Sequence, residues 1–133
     1  MQRLMHSVDS IRAIRNAPKI IISGDFNDEA KDASLIYLKE HELTDVSAGA
    51  KGSNGARGTY KYQGLWQSID HILVSKPMLQ LLSECILNDS PFLLEEDTKY
   101  GGKKPYRTYN GYRYLGGFSD HLPLVARFNI KEE

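Results

Sequence analysis

Three short segments gather acid, amide and imidazole side chains at the ends of apolar runs. They are Ser23-Gly24-Asp25-Phe26-Asn27, Ser68-Ile69-Asp70-His71-Ile72 and Phe118-Ser119-Asp120-His121-Leu122-Pro123-Leu124. A carboxylate can accept a proton or face a cation, an amide donates hydrogen bonds without adding charge, and an imidazole titrates near neutrality. Such groups at the rim of a sheet are held rigidly enough for acid–base or metal-assisted chemistry. Each segment alone also has a plainer reading, because Asp and Asn after a strand commonly cap turns and helices. Asp70 resists that reading: a carboxylate beside Ile69, Ile72 and Val74 must be solvated or paired. His121 beside Asp120 has its own plain reading as a surface pair, but three such segments in order are hard to obtain by chance.

The elements that must position these groups follow from periodicity. Apolar residues at 4, 5, 8, 11 and 14 predict an amphipathic helix ended by Pro18. Lys19 to Ser23, apolar on both faces, predicts a central buried strand. Ala30 to Glu42 predicts a short surface helix with Ala33, Ile36 and Leu38 partly periodic, and the glycine-rich stretch Lys51 to Gly58 predicts a mobile loop. Gly58 to Tyr62 and Ile69 to Val74 are expected to be strands joined by a turn around Gly64. Pro77 to Ser83 is expected as a short helix, Glu84 to Leu87 and Leu122 to Ile130 as strands, the last with Leu122, Leu124, Ala126 and Phe128 on one face. Helices alternating with strands give an α/β or layered α+β class, with one mainly antiparallel sheet and flanking helices.

Composition excludes several classes of protein. The 133 residues, 41% apolar and 26% charged, suit one soluble domain and exclude collagen, coiled coil and wholesale disorder. Seventeen basic residues balance seventeen acidic ones, so nucleic acid or an anionic membrane would have to be met by a local patch. No apolar run approaches the roughly 20 residues of a transmembrane span. Met1 to His6 is polar and already periodic, unlike a secretory signal, so a soluble chain is expected and no compartment is specified. Cys85 stands alone, which removes an intrachain disulfide and any multi-cysteine metal site.

The ordered trio Gly24-Asp25-Phe26-Asn27, Ile69-Asp70-His71 and Ser119-Asp120-His121-Leu122-Pro123 resembles the late motifs of the endonuclease/exonuclease/phosphatase superfamily, the pancreatic-deoxyribonuclease-like metal-dependent phosphoesterases. The resemblance runs from about Lys19 to Ile130. It implies hydrolysis of a phosphodiester or phosphomonoester, which needs an activated water, neutralised nonbridging oxygens and help for the leaving oxygen. By that resemblance Asp25 orients or deprotonates the water and reaches a metal, and Asn27 donates to a phosphoryl oxygen. His121 contacts the phosphate, and Asp70 holds its ring. Asp120 belongs to the metal site, where an all-oxygen, partly hydrated donor set favours Mg²⁺ or Mn²⁺ over zinc. His71 and Ser119 read as structural neighbours, and His6 and His41 as solvated.

Members of the family also carry an earlier half, in which a strand ending in Asn and a second contributing Glu supply the main metal ligands. Neither motif precedes Asp25, where the nearest acid, Asp9, lies in the predicted first helix. Residues 1–133 are therefore expected to form a partial domain, the C-terminal half of a four-layer α/β sandwich whose N-terminal half is absent. The metal would be incompletely liganded and hydrolysis weak. The inner sheet face would seek a partner, either that missing half or a second copy of the chain. The rival expectation is a noncatalytic binding or assembly module that keeps the scaffold.

Residues 98 to 116 interleave Lys99, Lys103, Lys104, Arg107 and Arg113 with Tyr100, Tyr106, Tyr109, Tyr112 and Tyr114. Cations for phosphates and aromatic faces for bases or sugars would suit a nucleic acid or a sugar or lipid phosphate. The competing reading is a twisted hairpin whose tyrosines pack and whose lysines are solvated. Because the stretch runs into Phe118-Ser119-Asp120-His121, it is expected to wall the site, with Lys103, Lys104, Arg107, Tyr109 and Arg113 as substrate contacts.

Overall fold

The computed structural model describes residues 2–130. With no glycine or proline inside it, Gln2–Ile14 forms α1 and buries Met5 and Val8. Ile11 and Ile14, further along the predicted stripe, remain 42% and 83% exposed. The chain continues through β1 (Ile21–Asp25), α2 (Ala33–Glu40), β2 (Leu43–Asp45), β3 (Tyr60–Tyr62), β4 (Leu65–Gln67) and β5 (Asp70–Ser75). It closes with α3 (Lys76–Leu79), β6 (Leu82–Leu87), a 3₁₀ turn at Pro91–Leu93, β7 (Leu94–Glu96), β8 (Lys103–Pro105), β9 (Tyr109–Asn110), β10 (Arg113–Tyr114) and β11 (Leu124–Phe128). No helix is long and apolar enough to cross a membrane among the described residues.

The class is mixed α/β with antiparallel pairing throughout, as the alternation of patterns implied. The strands divide into a three-stranded sheet, β1-β5-β2, and the two-stranded ladders β3-β4, β6-β11, β7-β8 and β9-β10. Several strands are only two or three residues long and sit between Gly, Pro and Asn turns, which is too short to extend one ladder across the molecule. β1 pairs with β5 alone and is an edge strand, correcting the central position expected for it. β5 takes the centre, with Leu73 and Val74 on opposite faces and both wholly buried.

One core lies where α1 and α2 cover this sheet, joining Met5, Val8, Leu35, Leu38, Leu43 and Leu73. α2 is thus a core helix rather than a surface one. It buries Leu35 and Leu38 and leaves Ile36 41% exposed. A second core of Ala56, Leu87, Leu94 and Leu122 lies under β6, β7 and β11.

The turn around Gly64 joins β3 to β4, not to β5. Gln63 and Gly64 both have positive φ (47° and 84°), the signature of a two-residue hairpin turn, and the Tyr62–Leu65 pair closes it. The loop before Gly58 is also better ordered than its glycines suggested. The Asp89 carboxylate accepts from the backbone N–H groups of Ser53, Asn54 and Ala56, and a Cβ at Gly52 would meet that carboxylate at 2.0 Å.

Candidate functional site

β1 and β5 run antiparallel with Asp25 opposite Asp70, so two of the three motifs finish side by side at one end of the sheet. The third is docked there by the backbone. Leu122 N–H donates to the Thr59 carbonyl (2.8 Å), and Tyr60 forms an isolated bridge with His121. Buried Thr59 also accepts from the Asp70 N–H through its hydroxyl (3.3 Å), so one residue fixes both motifs. Its place in an ordinary Gly-Thr-Tyr run gave the sequence reading no signal.

His121 Nδ1 lies 2.7 Å from Asp70 Oδ2, and the partial burial of both side chains strengthens that bond. The carboxylate accepts from Nδ1 and fixes the orientation of the ring, leaving Nε2 pointing out of the pair. Nε2 faces Asp25 Oδ2 at 3.8 Å and Asp120 Oδ1 at 3.9 Å. Both distances exceed a hydrogen bond, leaving a gap between the imidazole and two exposed carboxylates. Asp25 is itself oriented, because its Oδ1 accepts from the Asn27 N–H (2.9 Å), with Asn27 in the left-handed region at φ 54°. Asn27 is exposed on the same turn. The Ser119 hydroxyl accepts from the His121 N–H at 3.0 Å and caps the turn that presents the imidazole.

Asp25, Asp70 and His121 offer ligand atoms within 4.8 Å of one another. Three carboxylates around one imidazole would repel an anionic ester, so a hard divalent cation suits this oxygen-rich donor set. Asp25 and Asp120 have the exposure to reach such an ion, whereas Asp70 is engaged by His121.

A second acid–imidazole pair has a different character. His71, 2% exposed, places Nδ1 2.7 Å from Asp45 Oδ2 and Nε2 2.6 Å from the Asp28 carbonyl. Carboxylate and carbonyl are both acceptors, so both ring nitrogens must carry hydrogen and the ring is an imidazolium. Burial pulls the His71 pKa down, but the bonds to Asp45 and to the Asp28 carbonyl outweigh it and leave the value raised. Burial likewise opposes ionisation of Asp45, yet the hydrogen bonds from His71 and Ser47 hold its pKa below the ordinary value. The pair thereby pins the turn carrying Asp25 and Asn27 to β2, and Phe26 packs edge-on to the His71 ring. His41, expected to be solvated, is half-buried against Tyr37, with Nδ1 2.7 Å from the Tyr37 carbonyl.

The basic residues expected to wall the site are dispersed. Lys103 pairs with Glu96, and Lys104 lies 3.6 Å from Glu95. Tyr109 packs on Tyr114 in the β9–β10 ribbon, where Arg113 is exposed. Arg107 is linked to the cluster through Tyr60: its guanidinium lies 5.4 Å from the centre of the Tyr60 ring, and that ring lies 5.2 Å from the His121 ring. The residue that links them, Tyr60, was missed in the sequence because it lies outside every motif.

A model of the endonuclease/exonuclease/phosphatase family matches residues 2–130, which brings α1 into the matched span ahead of Lys19. No curated protein and no solved structure matches the chain.

Proposed function

We propose that this chain, which belongs to the endonuclease/exonuclease/phosphatase family, forms the C-terminal part of a divalent-metal-dependent phosphoesterase site. It would hydrolyse a phosphodiester or phosphomonoester once a further segment completes the ligand set. The observation that carries this reading is His121 Nε2, freed by the Asp70 bond and facing Asp25 and Asp120 across an open gap.

Each residue of the chain has a defined task. The Asp70 carboxylate stabilises positive charge on His121, and Nε2–H donates to a phosphoryl oxygen as negative charge grows there. The Asn27 amide donates to a second phosphoryl oxygen without repelling it. Asp25 accepts a proton from the attacking water. Asp120 and Asp25 would hold Mg²⁺ or Mn²⁺. The ion would supply charge neutralisation and Lewis acidity when bound.

Two carboxylates are few for such an ion, because affinity rises with ligand charge count. Exposed apolar side chains support a partner segment: Ile21 on β1 is 49% exposed and Ile86 on β6 40%. A segment bearing the family's Asn and Glu strands is the preferred occupant and a second copy the alternative. A noncatalytic module is the competing function, favoured by the same shortage of ligands.

Mn²⁺ titration followed by NMR line broadening tests the metal site. Broadening should centre on the amides of Asp25 and Asp120, and an undisturbed pair would overturn that assignment. Bis(p-nitrophenyl) phosphate and p-nitrophenyl phosphate test the chemistry. The purified chain should turn over little, and addition of a polypeptide bearing the Asn and Glu strands should raise Mg²⁺-dependent hydrolysis that His121→Ala abolishes. Robust cleavage by the chain alone would refute incompleteness, and no cleavage after completion would favour the module. Light scattering that finds a monodisperse monomer, with no apolar-dye signal, would remove the case for a partner.

A further inference from the structure

A cavity of about 300 Å³ lies between the β3–β4 turn and the β7–β8 hairpin, with Arg107 in its wall. Its floor is a buried ion pair. Lys61 Nζ lies 2.9 Å from Asp97 Oδ2 and donates to the carbonyls of Gly101 and Lys103, so all three ammonium protons are used. Asp97 also accepts from the N–H groups of Lys99 and Tyr100, which folds the 97–101 turn over the pair. The floor is thus internally neutral and rigid.

The rim carries an excess of positive charge, with Lys99, Lys104 and Arg107 against Glu95. Lys99 has no acidic partner among the described residues, and its Nζ sits 5.3 Å from the centre of the Tyr100 ring. Arg107 also lacks one, because its guanidinium donates to the Lys61 carbonyl (3.1 Å) and lies over Tyr60. Lys104 is only loosely engaged by Glu95, at 3.6 Å with both side chains part-exposed. Tyr62 and Tyr100 add aromatic faces, and Asn110 an amide. The wall is fixed where Tyr100 covers the hairpin turn, since a Cβ at Gly64 would meet it at 2.8 Å.

We infer that this cavity binds a second phosphate on the non-scissile part of the substrate, with the ring that carries it lying against the tyrosines. The inference rests on the phosphoesterase reading, since Arg107, in the cavity wall, lies 5.4 Å from the centre of the Tyr60 ring, and Tyr60 in turn lies 5.2 Å from the His121 ring. The favoured substrate is a small bisphosphorylated molecule. A nucleic acid would need cations along an extended track, and the chain as a whole carries no excess of them. The volume is at the small end of ligand cavities and suits one such group.

The test is a ¹H–¹⁵N NMR titration of the whole chain in EDTA with inorganic phosphate, a sugar monophosphate, the corresponding 1,6-bisphosphate and a ten-nucleotide single strand. Phosphate should move Gly64, Lys99, Gly101, Asn110 and the Arg107 side chain saturably. Lys99→Gln and Lys104→Gln together, both on accessible side chains, should weaken that binding about tenfold. The bisphosphate should bind more tightly than the monophosphate and shift the His121 region as well. Shifts unaffected by the double variant, or none at these positions, overturn the cavity. Tighter binding of the oligonucleotide, with shifts spreading to Arg113, overturns the small substrate. Cavity shifts with an unmoved His121 region under every probe would leave the anion site standing and count against the phosphoesterase reading.

Discussion

The imidazolium at His71 follows from the two acceptors that close its ring nitrogens, and substitution of Asp45 or of His71 itself tests it. Asp45→Asn keeps the volume and the acceptor toward Ser47 but removes the charge opposite Nδ1. Truncating one partner of a buried ion pair costs about 3–5 kcal/mol. The cost should fall toward the lower figure near neutral pH, because the imidazole can shed its proton when the carboxylate is gone. His71→Gln should cost at least as much, since it abandons both Asp45 and the Asp28 carbonyl. Against a total stability of about 5–15 kcal/mol, either variant approaches marginal folding. The pH dependence has a fixed sign. The folded pKa of His71 is raised above its ordinary 6.5, so the pair's contribution is full below that value and fades as pH rises through the folded one. Asp45 is lowered from 3.8, so its contribution is present above that value and fades as pH falls through the folded one. Urea unfolding of the wild type and His71→Gln, compared from pH 3 to 9, should show the largest difference between those limits. Ring ¹⁵N shifts of a neutral imidazole at pH 6.5, or a difference that grows above pH 8, would show that His71 is not held as an imidazolium.

Asp89→Ala should destabilise by about 2–4 kcal/mol, because it leaves the buried Ala56 N–H without its acceptor while the exposed Ser53 and Asn54 N–H groups can turn to water. Protease nicking within 51–58 is the readout, and a loop no more cleavable than in wild type would count against the ordering role given to Asp89. Asp70→Asn should keep the fold, since the amide oxygen can still accept from His121 Nδ1, but it removes the negative charge beside the ring and weakens the bond that holds it. In the completed enzyme about 10–100-fold of activity should go with it. An unchanged rate and pH profile would show that Asp70 does not act through His121.

The parts of this fold that were legible are those in which a side chain's type forces its environment. Asp70 within an apolar strand had to be solvated or paired, and the structure pairs it with His121 at 2.7 Å. The helix over Gln2–Ile14 and the strands at β5, β6 and β11 follow the same logic of apolar spacing. What escaped depends on contacts distant in sequence. The Lys51 to Gly58 loop looked mobile because its glycines are local, whereas the carboxylate that orders it lies 33 or more residues away. The edge position of β1 depends on which strands pair with β5, and an apolar run cannot report that. The lysines at 103 and 104 face Glu96 and Glu95 because the β7–β8 register sets them opposite, so each gained an acidic neighbour, Lys103 a close one and Lys104 a loose one at 3.6 Å. Arg107 escapes that fate because it lies beyond β8.

His71 and His121 show how one residue pair takes two roles in a single sheet. Each imidazole offers Nδ1 to an aspartate at 2.7 Å, so the first bond cannot distinguish them. The difference lies at Nε2. In His71 it is closed by a backbone carbonyl at 2.6 Å and the ring is 2% exposed, which fixes the proton and removes it from exchange with a ligand. In His121 no acceptor lies within hydrogen-bonding distance of Nε2 among the described residues, two carboxylates stand back at 3.8 and 3.9 Å, and the side chain is 27% exposed. Asp25 and Asp120 are exposed enough for water to solvate them, so the gap stays open to a ligand rather than being closed by the fold. The shared turn couples the two pairs: the His71 bond to the Asp28 carbonyl holds the far end of the segment whose near end presents Asp25. Loosening the closed pair should therefore spread into the open one, and the Asp45→Asn variant should broaden the Asp25 and Asn27 resonances before the sheet itself unfolds.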